Sequence, residues 1–575
     1  MPLKRIYISV VIICALMCPL FFFAQSDYEK QEMLSEKSSD PYLPNAFNRK
    51  KVSPGYNYQS AHKLSGTAST ITTVQVNVDS LGQNILSDAA NEPSIAISPV
   101  NSNSIVIGWR QFDNVGSSFR QAGWAYTTNG GQNWTFPGVI EPGIFRSDPV
   151  LGADAAGNFY YNSLTNFPTY MCKTFKSTDG GVSWDIGTDA MGGDKQWMVI
   201  DRSGGVGSGN IYSAWNENYS SCTPYFFTRS TDGNLSYETC TTVDGNPYWA
   251  TMAVDDGGEL FIGGGGSGGI VVCKSLDAQT AGSTITWELP VTVTMDGNVS
   301  AYPTVNPAGL LGQVSIDVDK PTGPTQGNVY LLASLFPSFV LDPGDIMFAS
   351  STDGGLTWNS PVKVNDDIDP SGSNTQWLGT MSVAPNGRID AAWLDTRDDI
   401  VSFDSSALYY SYSADFGLTW SANEKLSANF DPHVGYPNQD KMGDYFHMIS
   451  DNTGAHLAWA GTLNGEQDVY YSHIVPPPIA IGINENKAAQ FSFFPNPNTG
   501  KISLISASEK SRLEIYSALG EKVYAMQLLK SKNEIDISAL ANGIYFLKLI
   551  LENGTISVKK LISPSLKSHF SGIKF

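Results

Sequence analysis

The sequence predicts an all-β protein: a seven-bladed β-propeller, with six blades as the alternative, followed by a small C-terminal β-sandwich. Three observations predict this. An eight-residue turn motif recurs along the chain, strand-like apolar runs precede each copy, and 13 Trp, 26 Tyr and 27 Phe accompany 55 Gly against only 16% charged residues. That balance suits short packed strands joined by tight turns better than helices.

The turn motif is the clearest element. Ser177–Trp184 reads Ser-Thr-Asp-Gly-Gly-Val-Ser-Trp and returns at Ser351–Trp358 and Ser413–Trp420. Thr127–Trp134 has Asn129 for the Asp, Ser230–Tyr237 has Tyr for the Trp, and Ser275-Leu276-Asp277 reaches Trp287 after an insertion. The chemistry explains the spacing. A carboxylate at Asp179, Asp232, Asp277, Asp353 or Asp415 accepts hydrogen bonds from turn amides, and Gly takes a positive φ at little steric cost. The aromatic residue then packs back on the turn.

Each motif closes a longer unit. Strand pairs read as Ser94–Ile97 with Ile105–Trp109, Trp197–Asp201 with Ile211–Trp215, and Leu378–Val383 with Ile389–Trp393. A unit without the motif follows at 444–473, one strand short. The run Thr72–Val78 has no unit of its own and is expected to complete that last blade and close the ring.

The flanks organise the rest. Lys4 and Arg5 before the apolar run Ile6–Phe23, with Ala24 after it, read as a signal peptide over 1–24. Residues 25–70 show no periodicity and are expected to be extended or of low order. The propeller is assigned to 71–475, and Pro476-Pro477-Pro478 opens a linker over 476–489. No later run is long enough to span a bilayer as a helix, so the mature chain is expected to have no transmembrane segment. The net charge of −20 becomes about −22 once Lys4 and Arg5 leave with the signal, which argues against nucleic acid as a partner. Cys222 and Cys240 flank one hairpin and could pair outside the cell; no Cys or His spacing suits zinc.

Residues 490–575 form the last domain. Phe491–Gly500 contains Pro495-Asn496-Pro497-Asn498-Thr499-Gly500, Tyr516 stands four residues before Gly520, and Gly543-Ile544-Tyr545 begins a strand. These features resemble the type A sorting domain of the bacterial type IX secretion system. The resemblance implies export across the outer membrane and an interaction with that secretion machinery.

Chemistry is expected on the face opposite the turn motifs, just before each first strand and just after each second strand. Those positions hold Glu92, Arg146 with Asp148, Asp194 with Lys195 and Trp197, Tyr248 with Trp249, Gln376 with Trp377, and Lys441 with Asp444 and Tyr445. They also hold Arg110 with Asp113, Asn216 with Glu217, and Asp395 with Arg397 and Asp398. Aromatic faces stack on sugars, arginines pair with carboxylates, and paired acids do acid and base work. Arg202 and Arg388 fall instead on turns of the opposite face.

The repeated turn is the Asp-box pattern, and 72–475 resembles the sialidase-type (BNR-repeat) superfamily. That resemblance implies a glycoside hydrolase acting on extracellular glycans, with Arg110, Arg146 and Arg397 on the substrate carboxylate. It further implies Asp113 or Asp148 as acid/base, and Tyr445 as a nucleophile activated by Glu217. The sequence departs from the family in placing Phe145-Arg146-Ser147-Asp148-Pro149 after the first box. Lys195, Trp197, Tyr248, Trp377 and Asp444 complete the expected substrate-binding set. Two alternatives stand beside it: a lyase of uronate polymers using His433, Tyr436 or Tyr445 with Lys195 or Arg146, and a non-catalytic glycan-binding or adhesion protein. No cofactor and no catalytic metal are expected; a structural calcium could sit at Asp366-Asp367-Ile368-Asp369 or Asp395–Asp399.

Overall fold

The computed structural model describes residues 40–44, 53–60, 68–477 and 491–563. Within them 167–168, 320–325, 339–341, 369–371, 403, 499, 507–509, 518–519 and 552–555 are excepted. The expected signal peptide, most of the expected linker and Asp369 lie outside the described residues. The chain divides into two compact units, 1–478 and 479–575.

Among the described residues, the first unit is built of seven antiparallel sheets. Their first strands are Ala89–Ile97, Ser147–Ala153, Trp197–Ile200, Tyr248–Val254, Ser315–Val318, Gln376–Val383 and His447–Ser450. Each first strand touches the next in this order, and His447–Ser450 touches Ala89–Ile97, so the ring closes. A sheet inside such a ring is covered on both faces. Strands such as Ile105–Phe112 are accordingly buried at every residue rather than alternating.

Sheet 7 contains the closure. Its strands run His447–Ser450, Ala455–Gly461 and Asp468–Val475, and the fourth is Thr70–Gln75, antiparallel with Thr70 opposite Val475. The segment expected to lack periodicity adds a fifth strand, Asn57–Gln59, paired to Thr70–Gln75. Sheet 3 has three strands, and a Cys222–Cys240 disulfide with Cα atoms 6.5 Å apart ties the segment after its third strand back to the loop before it.

The repeated turns are held as their residue types dictate. Asp353 accepts from Ser351 Oγ at 2.8 Å, Thr357 N at 2.9 Å and Thr357 Oγ1 at 2.5 Å. Asp179, Asp232, Asp277 and Asp415 repeat the pattern. Both residues after the acid take a positive φ, 71° at Gly354 and 89° at Gly355, and 67° at Phe416 and 82° at Gly417; the second of them is Gly in both turns. The second Gly also lets the turn press on the preceding sheet: a Cβ at Gly181 would collide with Val106, and one at Gly417 with the Phe348 ring.

The opposite end of the first strands is distorted in a regular way. Glu92, Asp148, Lys195, Trp249 and Leu378 all have φ between 49° and 56°. Register shifts bracket four of them, between Asn91 and Ser94, Ser147 and Val150, Tyr248 and Thr251, and Trp377 and Thr380. Each is a bulge that re-aims one side chain. A left-handed bulky residue costs on the order of 1–3 kcal/mol, which the surrounding ring must offset.

The second unit is a sandwich of a three-stranded and a four-stranded sheet around Leu504, Leu513, Ile515, Leu547 and Leu549, all fully buried. The Pro-Asn-Pro start has a structural task. Asn496 bonds Lys560 O at 2.9 Å and accepts from Ile562 N at 2.8 Å, while Asn498 bonds Ile562 O at 2.8 Å. The two asparagines thus fasten the entry of the domain to its last strand.

Candidate functional site

The bulges bring charges from four neighbouring sheets to one side of the channel mouth. Lys441 and Asp444 come from sheet 7, Glu92 and Arg110 from sheet 1, Asp148 from sheet 2, and Asp194 and Lys195 from sheet 3. Lys441 Nζ lies 3.2 Å from Glu92 Oε1 and 2.6 Å from Asp444 Oδ2. Lys195 Nζ lies 2.7 Å from the same Asp444 oxygen and 3.5 Å from Asp194. Arg110 Nε is 3.1 Å from Glu92, and the guanidinium also donates to Asn91 and Gln439. Asp148 accepts from Lys195 N at 3.2 Å and from Ser147 Oγ at 2.6 Å.

This cluster is sealed. Glu92, Arg110, Asp148, Lys441 and Asp444 are all 0% exposed. The cover is the segment 299–311, which leads into sheet 5 and lies against 433–444. Asn306 accepts from Met442 N at 2.9 Å and donates to Gly443 O and Leu310 O, each at 2.8 Å. Leu310 N donates to Asp444 Oδ1 at 2.9 Å, so the cover is bonded to the charge cluster itself. Ala308 N bonds Asp440 O, and Thr304 O meets His433 Nε2 at 2.9 Å.

Burial sets the proton positions. It raises the Glu92 carboxyl to about 8, and the opposing pull of Arg110 and Lys441 does not cancel it. Burial also acts upward on Asp444, but Lys195 and Lys441 outweigh it and hold that carboxyl well below the usual range. A neutral Glu92 removes one buried negative charge from the cluster, which lowers the cost of keeping it out of water.

Beneath the cluster, aromatic rings cross the channel. Tyr445 OH donates to Pro149 O at 2.7 Å, and burial lifts its phenol well above the ordinary value. Trp197 meets Tyr445 edge-on at 5.4 Å and His447 at 5.2 Å.

The other expected residues have separate partners. Arg146 is paired with Glu141, which Lys173 also holds at 3.0 Å, and lies over Phe175. Arg397 pairs with Asp395 and Asp366, each at 2.8 Å, and stacks on Tyr409. Those two carboxylates belonged to the expected calcium loops, and no metal-holding group of three such side chains occurs among the described residues. Asp113 accepts from Gln121 and from Tyr42 of the N-terminal segment, both at 3.0 Å. Glu217 accepts from Asn246 at 2.6 Å, away from the Tyr445 hydroxyl and its Pro149 partner. Trp377 is buried, with its indole N–H on Ser406 at 3.0 Å. Tyr248 is half-buried and meets Trp249 edge-on at 5.1 Å. His433 bonds Asp431, and Tyr436 OH donates to Val305 O at 3.3 Å.

Sequence reasoning missed the cover. Its anchor Asn306 sits in a Pro- and Gly-containing loop with no repeat to mark it, and its partners are 136 and 137 residues away.

Comparison with known proteins places these units. Residues 492–563 match the secretion system C-terminal sorting domain. No curated protein sequence matches the chain. Among solved structures, a protein of unknown function from Dyadobacter fermentans DSM 18053 is similar at 13% identity and a TM-score of 0.40, over 70% of this chain and 98% of that one. The Hadza microbial sialidase Hz136 is similar at 15% identity and 0.36, over 53% of this chain and 63% of its own. The phage phi92 endosialidase is similar at 8% identity and 0.41, over 88% and 90%. No helix among the described residues is long and apolar enough to cross a membrane. The chain is thus an all-β, propeller-type protein with a type IX sorting domain at its C-terminus, exported by that route to the cell surface or into the medium.

Proposed function

We propose that the propeller is a non-catalytic, glycan-binding module of a secreted or surface protein. One observation carries this reading: the acids and cations expected to act on a substrate are bonded to one another or to neighbouring side chains, and the central ones lie beneath segment 299–311. A sugar carboxylate approaching Arg110 would first have to displace Glu92, Asn91 and Gln439. What the same face leaves to solvent is an aromatic rim. Tyr302 on the cover is 37% exposed, held at φ 59°, and Tyr248 stands half-buried on sheet 4. Rigid aromatic faces are the usual platform for sugar rings.

The test is a glycan array probed with the full secreted chain, wild type and Tyr302→Ala. Binding to a defined glycan class that falls at least about tenfold in the variant supports the reading. Binding unchanged by Tyr302→Ala and Tyr248→Ala together removes the rim as the site.

One geometric feature favours a second reading, a hydrolase whose cover opens. Glu92 and Asp444 meet on one ammonium with their proton affinities pushed apart, which is how an acid and its partner carboxylate are set. In that reading Glu92 donates the proton and Asp444 stays ionised.

A further inference from the structure

The channel below the Trp197–Tyr445 layer encloses a cavity of about 240 Å3, lined by the first strands of all seven sheets. That is room for several waters or one small organic molecule. It runs toward the turn face, where Arg202, after the strand Trp197–Ile200, stands exposed and Asp317 is half-buried. Ile200, Ile211 and Ser230 are in register, which puts Arg202 at the end of the sheet that carries the repeated turn.

The lining carries hydrogen-bonding groups without a partner among the described residues. Gln313 is 4% exposed, and neither its amide nitrogen nor its amide oxygen has a partner among the described residues. His447 takes Ser94 Oγ at 2.9 Å and Ile95 N at 3.3 Å on Nδ1. An Nδ1 that accepts a backbone N–H is unprotonated, so the ring proton sits on Nε2, and the hydrogen bonds of His447 among the described residues are on Nδ1. Charge enters the lining at the turn-face end, as Arg202 and Asp317, of which Asp317 is occupied by Val318 N and Val383 N, each at 2.8 Å; Tyr445 and its bond to Pro149 O separate the chamber from the cluster above. A buried primary amide without a partner costs free energy unless water or a ligand supplies the bonds.

We propose that this channel is a second binding site, entered from the turn face, for a small neutral polyhydroxylated or amide-bearing molecule that bonds Gln313 and His447 Nε2. Such a molecule matches the two-way hydrogen-bonding capacity of the amide and the donor on the imidazole, and the Trp197 and Tyr445 rings supply apolar contact. At the depth of Gln313 and His447 a charged group would lose its hydration among neutral side chains, the charged residues of the lining, Arg202 and Asp317, standing at the turn-face end. The site differs in face, depth and chemistry from the aromatic rim.

The experiment is saturation-transfer NMR and Trp fluorescence on the full chain. The probes are glucose, galactose and N-acetylglucosamine as neutral molecules, and glucuronate and N-acetylneuraminate as charged ones. A neutral probe is expected to bind, to perturb Trp fluorescence, and to lose at least about tenfold in affinity in Gln313→Leu. Because Gln313→Leu alters a buried position, its thermal melt is compared with that of the wild type, and Ile186→Ala, at an exposed position away from the channel, serves as the control that should keep binding. Tyr302→Ala should also leave this binding intact, which separates the channel from the rim. Binding of no neutral probe, tighter binding of the charged ones, or equal affinity in a folded Gln313→Leu would overturn the proposal and leave the channel a water column.

Discussion

Glu92 and Asp444 contact one Lys441 ammonium, at 3.2 Å and 2.6 Å, yet hold opposite proton affinities. The difference comes from what else each touches. Asp444 has a second ammonium, Lys195, and the Leu310 amide; Glu92 has Arg110, which must also serve Asn91 and Gln439.

This relationship makes stability depend on pH in a definite direction. Burial raises Glu92 from 4.5 to about 8, so between those values the folded protein holds a proton that the unfolded chain has released. Stability therefore falls as pH climbs through that window and levels off above it. Glu92→Gln keeps the neutral shape at every pH. Thermal melts from pH 5 to 9 should show the variant gaining on the wild type as pH rises, by on the order of a few kcal/mol at the top. A difference that does not change with pH would place Glu92 outside this role.

The cover should loosen when its latch is cut. Asn306→Ala removes bonds to Met442 N, Gly443 O and Leu310 O, and should cost roughly 2–4 kcal/mol locally. Hydrogen exchange should accelerate at the amides of Leu310 and Met442 while the sheet amides of Ile105–Phe112 stay protected. Uniform acceleration across all seven sheets would mean the segment is part of the global core instead.

The repeated turns should tolerate loss of the acid better than filling of the glycine. Asp353→Ala forfeits three bonds, two of them exposed, and should cost about 1–2 kcal/mol. Gly417→Ala meets both an 82° φ and the Phe348 ring, and should cost roughly 2–4 kcal/mol. Urea midpoints of the two variants, measured side by side, check the order.

Sheet 3 lacks a regular fourth strand and has the Cys222–Cys240 bridge in its place. Replacing both cysteines by serine frees a loop with 18-residue separation and should destabilise by about 3 kcal/mol on loop entropy. Protease nicking should then concentrate between residues 218 and 245; unchanged resistance there would show that packing of Phe226 and Phe227 suffices.

What was legible in the sequence was whatever is decided locally or by repetition. The turns at Asp179, Asp353 and Asp415 are closed by residues within four positions, so their chemistry is written in one short word. The approach of Arg110, Lys195 and Asp444 followed from counting strands, since each sits at the same end of its sheet. Partner choice was not legible. Arg146 pairs with Glu141, five residues upstream; Arg397 reaches Asp366, 31 residues away; Glu217 turns to Asn246. Several acids compete for each cation there, and only the loop paths decide among them. The cover was hidden for the same reason: Asn306 fits a surface turn as well as a latch.

The most direct test of the account is turnover. Purified full-length chain is incubated with α2,3- and α2,6-linked sialosides and with colominic acid, and free sialic acid is measured from pH 5 to 8. The account expects no release above the buffer control, because Arg110, Glu92 and Asp444 are sealed and mutually bonded. Release that is lost in Glu92→Gln would contradict it, and would make the buried pair an active site beneath a cover that opens.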